Sequence, residues 1–182
     1  MLGWRNGQRN QLKPDTLRGA WVQFPLPAQA LKFRKMIYTN SDGGARGNPG
    51  PGAIGVIVRK GDEVLIRYSS GIGKIVTNNI AEYEGLIKAL ELALKTGEKE
   101  VECNLDSELV VKQLLGKYRV RNQNLLPLFL KVQKLIEKFD KVKFKHVSRF
   151  DTHQQVVDEL LNNELDALGY KKYRGYQGSL GS

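Results

Sequence analysis

The chain is 182 residues long, with 41% hydrophobic and 26% charged residues. That composition is globular, neither disordered nor fibrous, and the length suits one domain with short appendages. The single cysteine, Cys103, excludes an internal disulfide framework and a multi-cysteine zinc site, and its strand-like surroundings make it a packed, reduced thiol. No apolar run approaches the length that spans a bilayer. Arg5 and Arg9 are followed by no apolar segment of the kind a secretory signal needs. The expectation is a cytoplasmic protein with no membrane partner.

The formal net charge is +10, and its distribution matters more than its total. Residues 1–35 hold seven basic side chains against one acid, Asp15, and residues 169–182 hold Lys171, Lys172 and Arg174 with no acid. The segment between them carries 19 basic and 18 acidic residues and is nearly neutral. Electrostatics alone would not make that central segment a nucleic-acid binder.

In chain order, residues 1–35 show neither helical nor strand periodicity and are broken by Pro14, Pro25 and Pro27. They read as a basic, disordered extension, with Met36 an alternative start. Met36 to Ser41 reads as a strand ending at Asp42-Gly43, followed by a glycine-rich turn from Gly43 to Gly52. Ala53–Arg59 and Val64–Ser70 are β-rich runs joined by the hairpin signal Lys60-Gly61-Asp62. Tyr83, Leu86, Ile87, Leu90 and Leu94 recur at helical spacing, starting after Asn78 or Asn79 and stopping at Gly97. Val101–Leu105 is a short strand, Ser107–Leu115 and Leu125–Phe139 are helices, and Val142–Val147 is a strand. Val157, Leu160, Leu161, Leu165 and Leu168 define a last helix, and residues 169–182 read as a flexible basic tail. The order β β β α β α α β α predicts an α/β fold, a mixed five-stranded sheet flanked by helices, over residues 36–168.

Four acids fall where such sheets build sites: Asp42 at the end of the first strand, Glu82 in the first turn of the first long helix, Asp106 at the end of the fourth strand, and Asp158 opening the last helix. Each alone has a structural explanation. Asp42-Gly43 suits a turn, Glu82 and Asp158 complement a helix dipole, and Asp106 or Ser107 suits an N-cap. Together they come from separate elements without matching bases nearby in sequence. Clustered carboxylates repel and raise one another's pKa, so a site that keeps them calls for divalent cations. Mg²⁺ suits hard oxygen ligands, and two ions about 3.5–4 Å apart can serve phosphodiester hydrolysis.

The segment Asp42-Gly43-Gly44-Ala45-Arg46-Gly47-Asn48-Pro49-Gly50-Pro51 resembles the opening motif of the ribonuclease HI family. Thr77-Asn78-Asn79-Ile80-Ala81-Glu82 resembles its second motif, Leu105-Asp106-Ser107 its third, and His146-Val147-Ser148-Arg149 with Asp158-Glu159-Leu160 its fourth. The resemblance spans about Met36 to Leu168 and lacks the long basic protrusion of some members, with only Lys117 to Arg121 in that place. It implies an RNase H-like fold and endonucleolytic hydrolysis of the RNA strand of RNA/DNA hybrids, leaving 5′-phosphate and 3′-hydroxyl ends. It further implies two Mg²⁺ ions, with Mn²⁺ a workable substitute, held by Asp42, Glu82, Asp106 and Asp158. The last motif departs from the family in two ways: Gln154 stands where relatives often have Asn, and the spacing from His146 to Asp158 differs from the commonest short form.

By the same resemblance, Gly43, Gly44, Asn78, Asn79 and Gln154 contact the hybrid near the cut, while Thr77 and Asn122 contact DNA phosphate. The glycines admit close backbone approach; Asn78 or Asn79 equally suits an N-cap. His153, in the loop before Asp158, is the expected mobile catalytic histidine, since an imidazole near neutral pKa suits proton transfer. His146 reads as a packed or hydrogen-bonded strand residue. Arg149 either binds a phosphate or pairs with Asp151. The expected partner is RNA/DNA hybrid, the expected state a monomer with no obligate protein partner. The rival readings are a non-catalytic hybrid-binding module and the RNase H domain of a reverse-transcriptase-like element, for which no polymerase segment precedes the domain.

Overall fold

The computed structural model describes residues 36–170. The basic extension expected at 1–35, and the tail expected at 169–182 from Lys171 onward, lie outside the described residues. Five strands and four helices follow one another as β1 Ile37–Ala45, β2 Gly50–Lys60, β3 Glu63–Val76, α1 Asn78–Lys95, β4 Glu100–Leu105, α2 Glu108–Leu114, α3 Leu126–Ile136, β5 Lys141–His146 and α4 Thr152–Ala167. This is the order read from the sequence. The sheet order is β3-β2-β1-β4-β5. β1, β2 and β3 form an antiparallel meander, and β4 and β5 add in parallel with β1. Among the described residues no helix is long and apolar enough to cross a membrane.

Residues on the two faces of β1 alternate, and each face takes a helix. On one face Ile37 joins Val56, Val58, Val101, Cys103 and Leu105 beneath Tyr83, Leu86, Ile87 and Leu90 of α1. Tyr83 is fully buried, and its hydroxyl donates to Gln113 Oε1 at 2.8 Å. Buried in this core, the free Cys103 thiol is pushed up to about 12. On the other face α4 brings Leu161 and Leu165 onto Ala53. Arg46 ties the β1–β2 turn to α4 through Asp166 and the Asn162 carbonyl. Glu164 receives the Ser69 hydroxyl and the Gly71 N–H of β3, each at 3.2 Å.

Local signals explain the helix starts. Thr77 caps α1, its side chain accepting from Ile80 N, and Ser107 caps α2 by accepting from Val110 N. Asp151 caps α4, accepting from His153 N at 3.0 Å and Gln154 N at 3.2 Å. α1 ends at Thr96 and Gly97, the latter at φ 77°, where a side chain would be strained.

Several boundaries differ from the expectation. β1 does not stop at Asp42. It pairs with β2 as far as Ala45 opposite Gly52, so the glycine-rich stretch is strand and the turn spans only about Arg46–Pro49. β3 likewise runs on to Val76. Glu82 lies past the first turn of α1, which begins at Asn78. α4 begins at Thr152, six residues before Asp158, so Asp158 sits inside that helix and His153 in its first turn rather than in a loop. The Asp151 cap decides that start, and an apolar period beginning at Val157 does not reveal it.

Candidate active site

The site forms where β1 outruns its parallel neighbour. β4 pairs with β1 only up to Ser41 opposite Leu105, which leaves Asp42 just beyond the shared edge and Asp106 one residue past β4. Helix α1 delivers Glu82 to the same place because two glycines let it come close. A Cβ on Gly43 would overlap the Ala81 carbonyl, and one on Gly85 would stand 3.0 Å from the Asp42 carbonyl oxygen. From the other face, a Cβ on Gly55 would overlap the Val157 carbonyl, so α4 also lies close to the sheet.

The outcome is a carboxylate cluster. Asp42, Glu82 and Asp106 each offer an oxygen, and these oxygens lie within 4.8 Å of one another. Asp42 is buried, Glu82 and Asp106 are partly buried, and Asp158 is exposed. Asp158 lines the mouth of a cavity of about 300 Å³ together with Asp42, Asp106, Arg149, Phe150, Gln154 and Gln155.

Burial, then the charges of Asp106 and Asp158, push the Asp42 carboxyl from 3.8 up to about 7. Glu82 is raised well above the ordinary range, chiefly by burial and then by Asp42 and Asp106. Asp106 is raised by burial, against the pull of its own backbone N–H and of Arg149. Glu82 Oε2 is buried with no hydrogen-bond partner among the described residues. Three convergent carboxylates, one of which also carries a buried oxygen without a partner among the described residues, form a donor set of the hard kind that a divalent cation takes.

The remaining residues named from the sequence are placed as follows. Gly43 is buried against α1, so its close approach is to a helix, and a Cβ on Gly44 would stand 3.2 Å from the Leu161 side chain. Thr77 caps α1. Asn78 accepts from Ala45 N at 2.9 Å through Oδ1 and donates its own N–H to Asn48. Asn79 and Asn122 are exposed, and Asn122 Oδ1 accepts from Asn124 N. Gln154 is 1% exposed.

His153 does not line the cavity. Its Nδ1 stands 4.0 Å from Asp151 Oδ1. His146 is the imidazole that meets a site residue, its Nε2 lying 3.1 Å from the main-chain carbonyl oxygen of Asp106. His146 also lines a shallow cleft with Asp106, Val147, Ser148 and Arg149. Arg149 faces the carboxylates, while Asp151 is engaged in capping α4. Sequence reasoning missed Phe150, 77% exposed at the cavity wall, and Gln155. No local signal marks either one, because both acquire their place from where α4 begins.

This fold and carboxylate set define a nucleic-acid hydrolase scaffold of the RNase H type. Residues 40–163 match the family described as reverse transcriptase-like. The amino-terminal RNase H domain of Rv2228c from Mycobacterium tuberculosis is 38% identical, with a TM-score of 0.69, over 74% of this chain and 96% of that one. LC11-RNase H1, solved in complex with RNA/DNA hybrid, is 39% identical, with a TM-score of 0.67, over 72% of this chain and 98% of that one. Ribonuclease HI of Halobacterium salinarum is 35% identical over 130 residues, 71% of this chain and 64% of its own length. The chain belongs to the ribonuclease H family. It spans only 36% of the whole bifunctional protein Rv2228c.

Proposed function

We propose that the chain hydrolyses the RNA strand of RNA/DNA hybrids endonucleolytically, leaving 5′-phosphate and 3′-hydroxyl ends. One observation carries the reading: Asp42, Glu82 and Asp106 each bring a carboxylate oxygen within 4.8 Å of the others. A module that only bound hybrid would gain nothing from crowding carboxylates that repel each other and the phosphate backbone.

Asp42, Glu82 and Asp106 would hold the cation, with Asp158 completing the set from the mouth of the cavity. Bound Mg²⁺, or Mn²⁺ in its place, would supply a Lewis acid and a more acidic water. The chain's own groups position the substrate. Arg149 offers a guanidinium to a phosphate beside the carboxylates. Thr77, Asn79 and Asn122 are the proposed polar contacts to the strands, with Asn78 contributing its amide NH₂. Selection of RNA at the cut requires recognition of the 2′-hydroxyl.

The proposal includes a monomer, a single domain over residues 36–168 and a cytoplasmic setting, in keeping with the free, buried Cys103. The test is cleavage of an end-labelled RNA/DNA hybrid with Mg²⁺ and with chelator, beside single-stranded RNA, double-stranded RNA and double-stranded DNA. Metal-dependent cutting of the hybrid alone is expected; hybrid binding without cutting would convert the reading to a binding module.

A further inference from the structure

We infer that Gln154 is a positioning residue for Asp106, held in its sense by a relay from Arg59 through Asn40. The inference rests on the cation-site reading above.

Gln154 and Asn40 are each 1% exposed, so both amides must find partners inside the protein. Gln154 Nε2 donates to the Ser41 carbonyl at 3.0 Å and to Asp106 Oδ1 at 3.2 Å. An amide NH₂ has two hydrogens, and both are spent. Gln154 Oε1 accepts from Asn40 Nδ2 at 3.4 Å, and Asn40 Oδ1 accepts from Arg59 Nε at 3.5 Å.

The sense of this chain is determined at its far end. A guanidinium only donates, so Asn40 turns its oxygen to Arg59 and its NH₂ to Gln154. Gln154 then turns its oxygen to Asn40 and its NH₂ to Asp106. The opposite orientation would set Gln154 Oε1 against two acceptors, the Ser41 carbonyl and the Asp106 carboxylate. Arg59 is itself held: its guanidinium lies 4.6 Å from the Tyr38 ring centroid, and Nη1 donates to the Gly61 carbonyl at 2.6 Å. The two outer links are long. The bonds from Nε2 therefore do the positioning, and the outer links set its direction.

Asp106 needs such a partner because it stands one residue past the end of β4, outside the strand ladder. A donor on Oδ1 restricts the carboxylate's rotation and so orients it toward the cluster. This assigns Gln154 a role different from the hybrid contact expected from sequence, since neither N–H is left for a ribose.

The test is titration calorimetry of Mn²⁺ into the nucleic-acid-free protein, with hybrid kcat and KM measured in parallel. Gln154→Leu keeps bulk and removes the donor; Gln154→Glu sets an acceptor against Asp106; Arg59→Met releases the far end. Cation affinity should weaken by about 10- to 100-fold in Gln154→Leu and at least as much in Gln154→Glu, the scale seen when a group orienting a metal ligand is lost. Arg59→Met should weaken it less, in the same direction. The kcat at fixed metal should fall while KM for hybrid stays within about twofold, because only groups touching substrate move KM alone. If Gln154→Leu does not fold, as judged by circular dichroism in chelator, Gln154→Asn and Arg59→Met carry the measurement. Unchanged cation affinity with a raised KM would make Gln154 a hybrid contact and overturn the inference. A wild-type protein that takes no divalent cation would overturn it as well. A wild-type protein that binds Mn²⁺ but cuts no hybrid, with affinity lost in the variants, would sink the proposed function and leave the positioning role standing.

Discussion

Gly43 and Ala81 meet backbone to backbone, because any Cβ on Gly43 would overlap the Ala81 carbonyl. That contact is what sets Asp42, on one side of it, within reach of Glu82 on the other. Backbone carbonyls in the first turns of a capped helix cannot swing aside as a flexible side chain can.

Gly43→Ala should therefore force β1 and α1 apart. Overpacking of this kind costs about 1–3 kcal/mol, so the melting temperature should fall by several degrees. Divalent-cation affinity should fall with it. A variant with native melting temperature and cation affinity would show that the helix start gives way freely.

Metal-free stability should depend on pH in a defined direction. The Asp42 carboxyl is raised from 3.8 to about 7, so the fold favours its neutral form. That contribution is fully present below 3.8 and is lost as pH rises through about 7. Glu82 shifts in the same direction. In chelator, the melting temperature should fall between about pH 4 and pH 7, and Mg²⁺ should restore it most at the upper end. A flat or rising profile in chelator would mean the cluster is not crowded as described.

Asp106→Asn keeps the side chain's shape and removes one charge from the cluster. Hybrid cleavage should drop by orders of magnitude, while the metal-free melting temperature stays level or rises, because a repulsion has been relieved. Near wild-type turnover in a clean preparation would remove Asp106 from the proposed ligand set.

The two histidines separate by position. His146 stands beside Asp106 and His153 beside Asp151. His146→Ala should lower kcat by at most about 10²-fold, the scale of one acid–base group, with stability unchanged. His153→Ala should stay closer to wild type. The reverse pattern would restore His153 to the role its sequence neighbourhood suggests.

A chain starting at Met36 should keep its melting temperature and cleavage pattern. The seven basic residues ahead of it can still add phosphate contacts that release counterions. Hybrid affinity across a salt series should then fall more steeply for the full chain than for the shorter one. Equal slopes would make the extension electrostatically passive, and failure of the shorter chain to fold would overturn the domain boundary at Met36.

The element order, the family and the three acids that the structure brings together, Asp42, Glu82 and Asp106, were legible in the sequence by itself. Each rests on short-range signals: a helical period around Leu86 and Leu90, a turn at Gly61, and motif residues adjacent to Asp42, Glu82 and Asp106. Only the tertiary structure decided how far β1 runs, that α4 begins at Thr152, that His146 meets the Asp106 main chain while His153 sits beside Asp151, and that Gln154 is buried against Asp106. These depend on pairing and burial between distant segments. Asn40 and Gln154 are 114 positions apart, and what each amide bonds to is set by the strands and helix packed around it. Local sequence carries the propensity to form β1 or α4, whereas strand register, close approach at a glycine and the partner of a buried amide exist only once the sheet and helices have assembled.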